Sequence, residues 1–219
     1  MKTKFRKPAI LDRKKAAEVF QVAWHNERAR LANLLSAVTG MRCGEIQALR
    51  FKDLGRDCLY ARGSWLENNC MKQPYAVTKR IVNLPYPGLM KNLIEQARRN
   101  PWGVFPDSFV FWSESGGDIP INRKCLLFGF RKALKQTGFT ETQSKQYQFY
   151  GWRHFYRHHM SLKLDNRLLK SLYGDKTGVM IERYYDLPTD KDRAKIMAVG
   201  KNTFSGLLFR AEKHYRGHK

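Results

Sequence analysis

The chain has 219 residues, enough to bury one sizeable core, and this length permits either one domain or two small ones. Its 41 Lys and Arg outnumber 19 Asp and Glu, so the formal net charge is +22, a surplus that repels itself unless a polyanion such as nucleic acid offsets it. No apolar run could cross a bilayer and the basic start lacks a signal peptide's apolar core, so we expect a cytoplasmic, nucleoid-associated protein without a membrane partner.

The first part of the chain is predicted to be helical. Apolar residues recur at helical spacing over residues 16–38, which indicates one or two helices. A glycine-punctuated turn follows at residues 39–44 and leads into a short helix that stops near Asp53.

The pattern changes between residues 57 and 86. Residues 58–65 and 75–86 are rich in β-branched and aromatic side chains, which are typical of strands. The polar residues 66–74 separate them and predict a longish turn. We therefore expect one small antiparallel β-sheet here.

Helical spacing returns at residues 88–100, and Pro101 ends that helix. Residues 107–120 are predicted to form a short extended piece with a Gly-Gly turn. The next helix spans residues 122–138, with Asn122 as N-cap and Gly138 as C-cap.

The last part of the chain is predicted to be helical at residues 150–164, 166–174 and 177–187. The sequence thus predicts an α+β, mostly helical domain over residues 1–187 with a small antiparallel β-sheet. Residues 188–219 are predicted to be a helical tail that packs in cis or on a neighbouring subunit. Its apolar anchor would be Phe204, Leu207, Leu208 and Phe209.

Cysteine and histidine spacing gives no sign of a metal site. None of the cysteines forms the close pairs of zinc or redox motifs, and the paired histidines lack a third ligand at metal spacing. We expect no metal, no disulfide and no small-molecule cofactor. The residues considered are Cys43, Cys58, Cys70, Cys125, His158, His159, His214 and His218.

Three different short motifs occur along the chain. The first is TGMRCGE at residues 39–45, which contains Arg42 and is followed by Leu49 and Asp53. The second is YGWRH at residues 150–154. The third is Tyr173-Gly174-Asp175, from which a tyrosine lies nine residues on, in the pair Arg183-Tyr184.

In this order and at these separations, the three motifs resemble those of the tyrosine recombinases, the phage integrase family, over about residues 10–187. The resemblance implies that family's catalytic-domain fold. It also implies cleavage of one DNA strand by attack of Tyr184 on the scissile phosphate, giving a 3′-phosphotyrosine and a free 5′-hydroxyl without a metal. Tyr185 points about 100° away round a helix and is the less favoured nucleophile.

The same resemblance assigns the other site residues. Arg42 and Arg153 would hold the phosphate oxygens bidentately, and a lysine would protonate the leaving 5′-oxygen. Lys72 lies in the predicted turn and Lys79 in the following strand, and we favour Lys72. We expect DNA to contact both arginines, both lysines and His154.

Two positions depart from the family pattern. Tyr150 replaces a histidine, so it can donate a hydrogen bond to a phosphate oxygen but cannot be a cation near neutral pH. Asp175 stands where the family has histidine or tryptophan, and its carboxylate should repel the phosphate unless it is protonated, turned away or paired with Lys176. We expect activity at a reduced rate, with His154 as the nearest substitute donor.

Two functions from different classes follow. The first is a site-specific recombinase that acts on double-stranded DNA as a homotetramer. The second is a weakened or inactive relative that binds DNA without cutting, and an RNA-binding protein is a remoter third. The family usually carries a DNA-clamping domain ahead of this one, and Arg42 comes too early for it. We therefore expect either an excised catalytic domain or a truncated relative.

Overall fold

The computed structural model describes residues 9–66, 71–72, 80–173 and 189–208. Helices dominate these ranges, in agreement with the predicted class. Nine α-helices occur within them, and they are α1 (Arg13–Gln21), α2 (Glu27–Thr39), α3 (Cys43–Gln47), α4 (Pro87–Arg98), α5 (Arg123–Gln136), α6 (Glu141–Lys145), α7 (Gly151–Ser161), α8 (Asn166–Tyr173) and α9 (Asp190–Leu208).

The strands form three separate two-stranded antiparallel pairs, whereas the sequence predicted one sheet. The pairs are β1 with β4, β2 with β3, and β5 with β6. Their bounds are β1 (Cys58–Ala61), β2 (Ser64–Trp65), β3 (Met71–Lys72), β4 (Arg80–Asn83), β5 (Trp112–Ser113) and β6 (Gly116–Pro120).

Helix α2 is the centre of the core. Its apolar side chains are buried on every side, and it packs against α4, α5, α7 and α9. Helices α1 and α2 each begin at a side-chain N-cap. Asp12 accepts a hydrogen bond from the backbone N–H of Lys15, and Asn26 accepts one from Ala29, so α1 and α2 start as separate helices.

Several boundaries differ from the sequence prediction. Helix α3 ends at Gln47, and a 3-10 turn (Phe51–Asp53) continues to the predicted stop. Strand β3 lies inside the predicted polar turn. Gly116 and Gly117 lie in β6 and not in a turn.

Helix α5 begins as predicted, because the Asn122 side chain accepts a hydrogen bond from the Lys124 N–H at 2.8 Å. Its C-cap is Thr137 and not Gly138. Gly138 follows with a φ of +94°, in the left-handed region that glycine tolerates. The short helix α6 was not predicted.

The described part of the C-terminal tail packs in cis. Helix α9 contacts α1, α2 and α7, and the Phe204 ring stacks on Tyr156 at 5.5 Å. Phe204 and Leu207 are buried in this chain, and packing of the tail on a neighbouring subunit stays a prediction. Phe209 lies outside the described residues, and the domain boundary at 187 stays a prediction.

No helix in the described ranges is long and apolar enough to cross a membrane.

Candidate active site

The turn before Arg42 is fixed by side chains of α2. The Ser36 hydroxyl donates to the Met41 carbonyl at 2.9 Å. The Thr39 hydroxyl donates to the Leu35 carbonyl at 2.5 Å and accepts from the Met41 N–H at 3.3 Å. Gly40 has a φ of +67°, so the chain reverses there at little cost. These bonds set the direction in which the chain enters α3.

Arg42 is the N-cap residue of α3, and Glu45 holds it from two sides. One Glu45 oxygen accepts from the Arg42 backbone N–H at 2.8 Å, and the other accepts from the guanidinium at 3.1 Å. The Arg42 side chain is 43% exposed and that of Glu45 only 12%. The guanidinium is therefore oriented and still accessible to an anion from solvent.

Arg153 reaches from α7 to the same turn. Its Nη1 donates to the Gly40 carbonyl at 2.7 Å, and the residue is only 1% exposed. Gly40 precedes Arg42 by two residues. The two arginine motifs, 113 residues apart along the chain, thus meet at one turn.

The rotation of α7 is fixed by the neighbour of Arg153. The Trp152 indole N–H donates to the Asn33 side-chain oxygen at 2.8 Å, and the Asn33 amide donates to the carbonyls of Ala29 and Leu126. Asn33 is fully buried and joins α2, α5 and α7. Buried polar groups with all their partners tolerate little rotation, so the network holds Arg153 in register.

Tyr150 and His154 flank Arg153 on the first turns of α7. Tyr150 is 44% exposed, and its ring meets the edge of the His154 ring at 4.7 Å. Partial burial, followed by the charges of Arg157 and Arg153, lowers the pKa of His154 below its ordinary value of 6.5. The imidazole therefore binds a proton less readily than an ordinary histidine does.

Lys72 lies in strand β3 and not in the turn where it was predicted. Its backbone pairs with Ser64 of β2. Strand β2 closes directly on α3, because a Cβ at Gly44 would touch the Ser64 hydroxyl and lie 2.6 Å from the Trp65 carbonyl oxygen. The lysine strand is thus one strand away from the first turn of α3, where Arg42 is the cap.

The structure therefore brings Arg42, Arg153, Tyr150 and His154 to the turn and the start of α7, with the backbone of Lys72 on the adjoining hairpin. The other predicted site residues are outside the described ranges, and they are Lys79, Asp175, Lys176, Tyr184 and Tyr185.

Sequence reasoning missed the roles of Glu45 and Asn33. Glu45 had a local signal, since a carboxylate three residues after an N-cap is typical of a capping interaction. Asn33 had none, because its partner Trp152 is 119 residues away.

Among the described residues, no group of three or more His, Cys, Asp or Glu side chains could hold a metal ion. Cys43, Cys58 and Cys125 are free thiols, and Cys70 is outside the described ranges.

Comparison with solved structures identifies the fold. The chain superposes on the integrase of transposon Tn1549 in complex with transposon right-end DNA, with a TM-score of 0.65 and 13% identity over 98% of this chain and 67% of that chain. It superposes on XerA recombinase with a TM-score of 0.59 and 16% identity, over 100% of this chain and 68% of that chain.

A lambda integrase tetramer bound to a Holliday junction matches with a TM-score of 0.55 and 18% identity, over 82% of this chain and 51% of that chain. A scan against protein-family models finds no match, and a search of curated proteins finds no relative. The chain thus has the fold of tyrosine recombinase catalytic domains and spans half to two thirds of the length of these three proteins.

Proposed function

We propose that this protein cleaves and rejoins DNA at specific sites through a 3′-phosphotyrosine intermediate on Tyr184. The observation that carries the proposal is the bond from Arg153 to the Gly40 carbonyl, which brings the two arginine motifs to one turn. The fold match supports the same activity, since the matched proteins are integrases and recombinases.

Arg42 and Arg153 would stabilise the pentacoordinate transition state. Negative charge concentrates on the non-bridging oxygens of phosphorus as the tyrosine oxygen approaches. Guanidinium groups never lose their proton near pH 7 and can donate two parallel hydrogen bonds to such oxygens. The Glu45 contacts orient Arg42 before the substrate binds, so little reorganisation is needed.

The tyrosine oxygen of Tyr184 forms the new bond to phosphorus, and the bond from phosphorus to the 5′-oxygen breaks. Lys72 gives a proton to that leaving oxygen. The His154 imidazole accepts the proton that Tyr184 loses. Tyr150 donates a hydrogen bond to a phosphate oxygen. A 5′-hydroxyl attacking the phosphotyrosine reverses these steps and rejoins the strand.

Double-stranded DNA is the proposed partner, and the net charge of +22 supports it. The active form is a homotetramer on two duplexes, associated with the nucleoid in the cytoplasm. One matched neighbour is a lambda integrase tetramer on a Holliday junction, which agrees with this assembly.

A second candidate function is DNA binding without cleavage. Two observations favour it: Tyr150 and Asp175 replace side chains that the resemblance calls for, and Arg153 is almost fully buried. A carboxylate near the scissile phosphate would raise the barrier to attack.

Covalent capture separates the two functions. The protein is incubated with fragmented DNA of its source in chelator, denatured with detergent, and examined for a protein-linked strand whose peptide is mapped. We expect an adduct on Tyr184 that Tyr184→Phe abolishes. The matched control is Tyr185→Phe, which should keep the adduct.

Salt-sensitive DNA binding without any adduct would favour the second function. An adduct that forms only with added divalent metal would contradict the proposed chemistry.

A further inference from the structure

An ion pair between a buried carboxylate and a partly exposed arginine lies at the base of the hairpin that carries Lys72. Asp53 ends the 3-10 turn, and its side chain is only 3% exposed. Arg62 Nε lies 2.5 Å from one Asp53 oxygen, in ion-pair contact. The other Asp53 oxygen accepts from the Arg50 backbone N–H at 3.0 Å. The carboxylate is therefore tied both to the turn and to the strand region.

Arg62 lies in the segment that connects two strand pairs. Arg62 follows β1 and precedes β2 by two residues, so it is where the chain leaves one strand pair and enters the other. Its guanidinium also lies over the Tyr60 ring, 5.3 Å from the centroid. Any shift of Arg62 would move the start of β2, and β2 is the strand that pairs with Lys72.

Two further contacts hold β2, and both are apolar or steric. Trp65 meets the edge of the Phe109 ring at 5.5 Å, and β2 closes on Gly44 beside Arg42. Such contacts limit how near β2 comes to α3, but they permit sliding along it. The Asp53 and Arg62 pair is the electrostatic contact that opposes such sliding, because a buried carboxylate left without its cation is costly.

We propose that Asp53 and Arg62 are positioning residues, which set the place of the Lys72 strand relative to Arg42 and thereby deliver the proton to the leaving 5′-oxygen. This inference rests on the proposed function, since it assumes that Lys72 protonates that oxygen. Neither residue touches the reacting atoms.

The test compares two leaving groups. A 5′-thiolate leaves without a proton, so a substrate with sulfur at the bridging 5′ position does not need the lysine. The double variant Asp53→Asn/Arg62→Gln removes both charges together and avoids a lone buried carboxylate. We expect it to slow adduct formation on ordinary DNA roughly 10- to 100-fold. On the sulfur substrate its rate should equal that of the unchanged protein.

Two comparisons complete the design. Lys72→Ala should show the same selective loss, and adding it to the double variant should cause no further loss. Arg28→Gln/Glu114→Gln is the control, because it also removes both charges of an arginine–carboxylate pair with one buried member, and Arg28 contacts β5 instead of β2. It should change both substrates by the same factor.

Equal losses on both substrates, or no loss on either, in Asp53→Asn/Arg62→Gln would overturn the inference. If the protein without substitutions forms no adduct on either substrate, the proposed function is wrong. In that case, amine labelling of the DNA-bound protein tests whether Asp53 and Arg62 position Lys72. Lys72 should be protected in the unchanged protein and the Arg28 control, and labelled in the double variant. Any other labelling pattern rejects the positioning role.

Discussion

In the proposed mechanism, Arg153 binds the protein and the phosphate at once. One of its nitrogens donates to the Gly40 carbonyl, and a guanidinium carries five N–H donors in one plane. A lysine at this position would offer one nitrogen for both. The geometry therefore explains why an arginine, and not merely a cation, occupies this place on α7.

The lowered pKa of His154 predicts a pH dependence of stability. Burial and the neighbouring arginines disfavour the protonated imidazole in the folded state, so the unfolded chain binds the proton more tightly. The penalty is full below the folded pKa and disappears above the unfolded value of 6.5. The free energy of unfolding should therefore rise with pH up to about neutrality.

Urea unfolding between pH 5 and pH 8 measures this effect in the unchanged protein and in His154→Gln. The variant should show a shallower rise. His159, whose pKa is lowered mainly by burial, contributes in the same direction and remains in both proteins. Identical pH profiles would show that His154 carries none of the dependence.

Asp175 gives a prediction about rate. A carboxylate near the scissile phosphate repels the charge that develops in the transition state, whereas a histidine can donate a hydrogen bond to it. Asp175→His should raise the rate of adduct formation by roughly tenfold or more. The rate of a single turnover on captured DNA measures this. A rate that stays unchanged or falls would show that Asp175 does not weaken the site.

At the scale of elements, the turn between α2 and α3 is the most constrained part of the site. Gly40 has a positive φ, and a Cβ there would lie 2.5 Å from the Tyr156 ring. Gly40→Ala should therefore lower the free energy of unfolding by more than the roughly 1–3 kcal/mol of left-handed strain alone. It should also slow adduct formation, because the turn places Arg42 and receives Arg153.

Gly138→Ala is the matched control for that variant. Gly138 also has a positive φ, but a Cβ there would meet nothing within 4 Å. Thermal unfolding of the two variants separates backbone strain from the clash with Tyr156. Equal losses of stability would mean that Tyr156 moves aside, and the packing argument for the turn would be wrong.

The elements also show where sequence reasoning succeeds. The Thr39-Gly40 turn and the Asn122 cap were predicted, because caps and glycines are local signals. Periodicity predicted the helical character of the N-terminal part but left one or two helices open. Helix α6 has five residues, too few for a period to stand out. The sequence predicted a polar turn where β3 lies, because the polar residues there gave no local sign of the pairing with β2.

At the scale of the whole molecule, charge predicts how DNA binding depends on salt. The 19 acidic side chains can balance fewer than half of the 41 basic ones, so the protein should displace condensed ions from DNA phosphates on binding. If six to ten phosphates are contacted, the association constant should fall about 10³- to 10⁵-fold between roughly 50 and 200 mM salt. Fluorescence anisotropy with a labelled duplex measures this slope. A flat salt dependence would contradict a phosphate-binding surface.

The sequence predicted residues of the candidate site but not the contacts between them. The motifs named Arg42 and Arg153, but the contact that joins them spans 113 residues and depends on the packing of α7 against α2. Spacing along a chain does not reveal such a contact. The same holds for the Asn33 network and for the ion pair of Asp53 with Arg62.

The central claim is that Arg42 and Arg153 act on one phosphate as a unit, and a double-mutant cycle tests it most directly. The rate of adduct formation is measured for Arg42→Lys, Arg153→Lys and the pair, with thermal unfolding to confirm that each is folded. We predict that each single change costs about 100- to 1000-fold and that the double variant loses little more than the worse single one. Losses that multiply, or a single variant that cleaves as fast as the unchanged protein, would contradict one shared site.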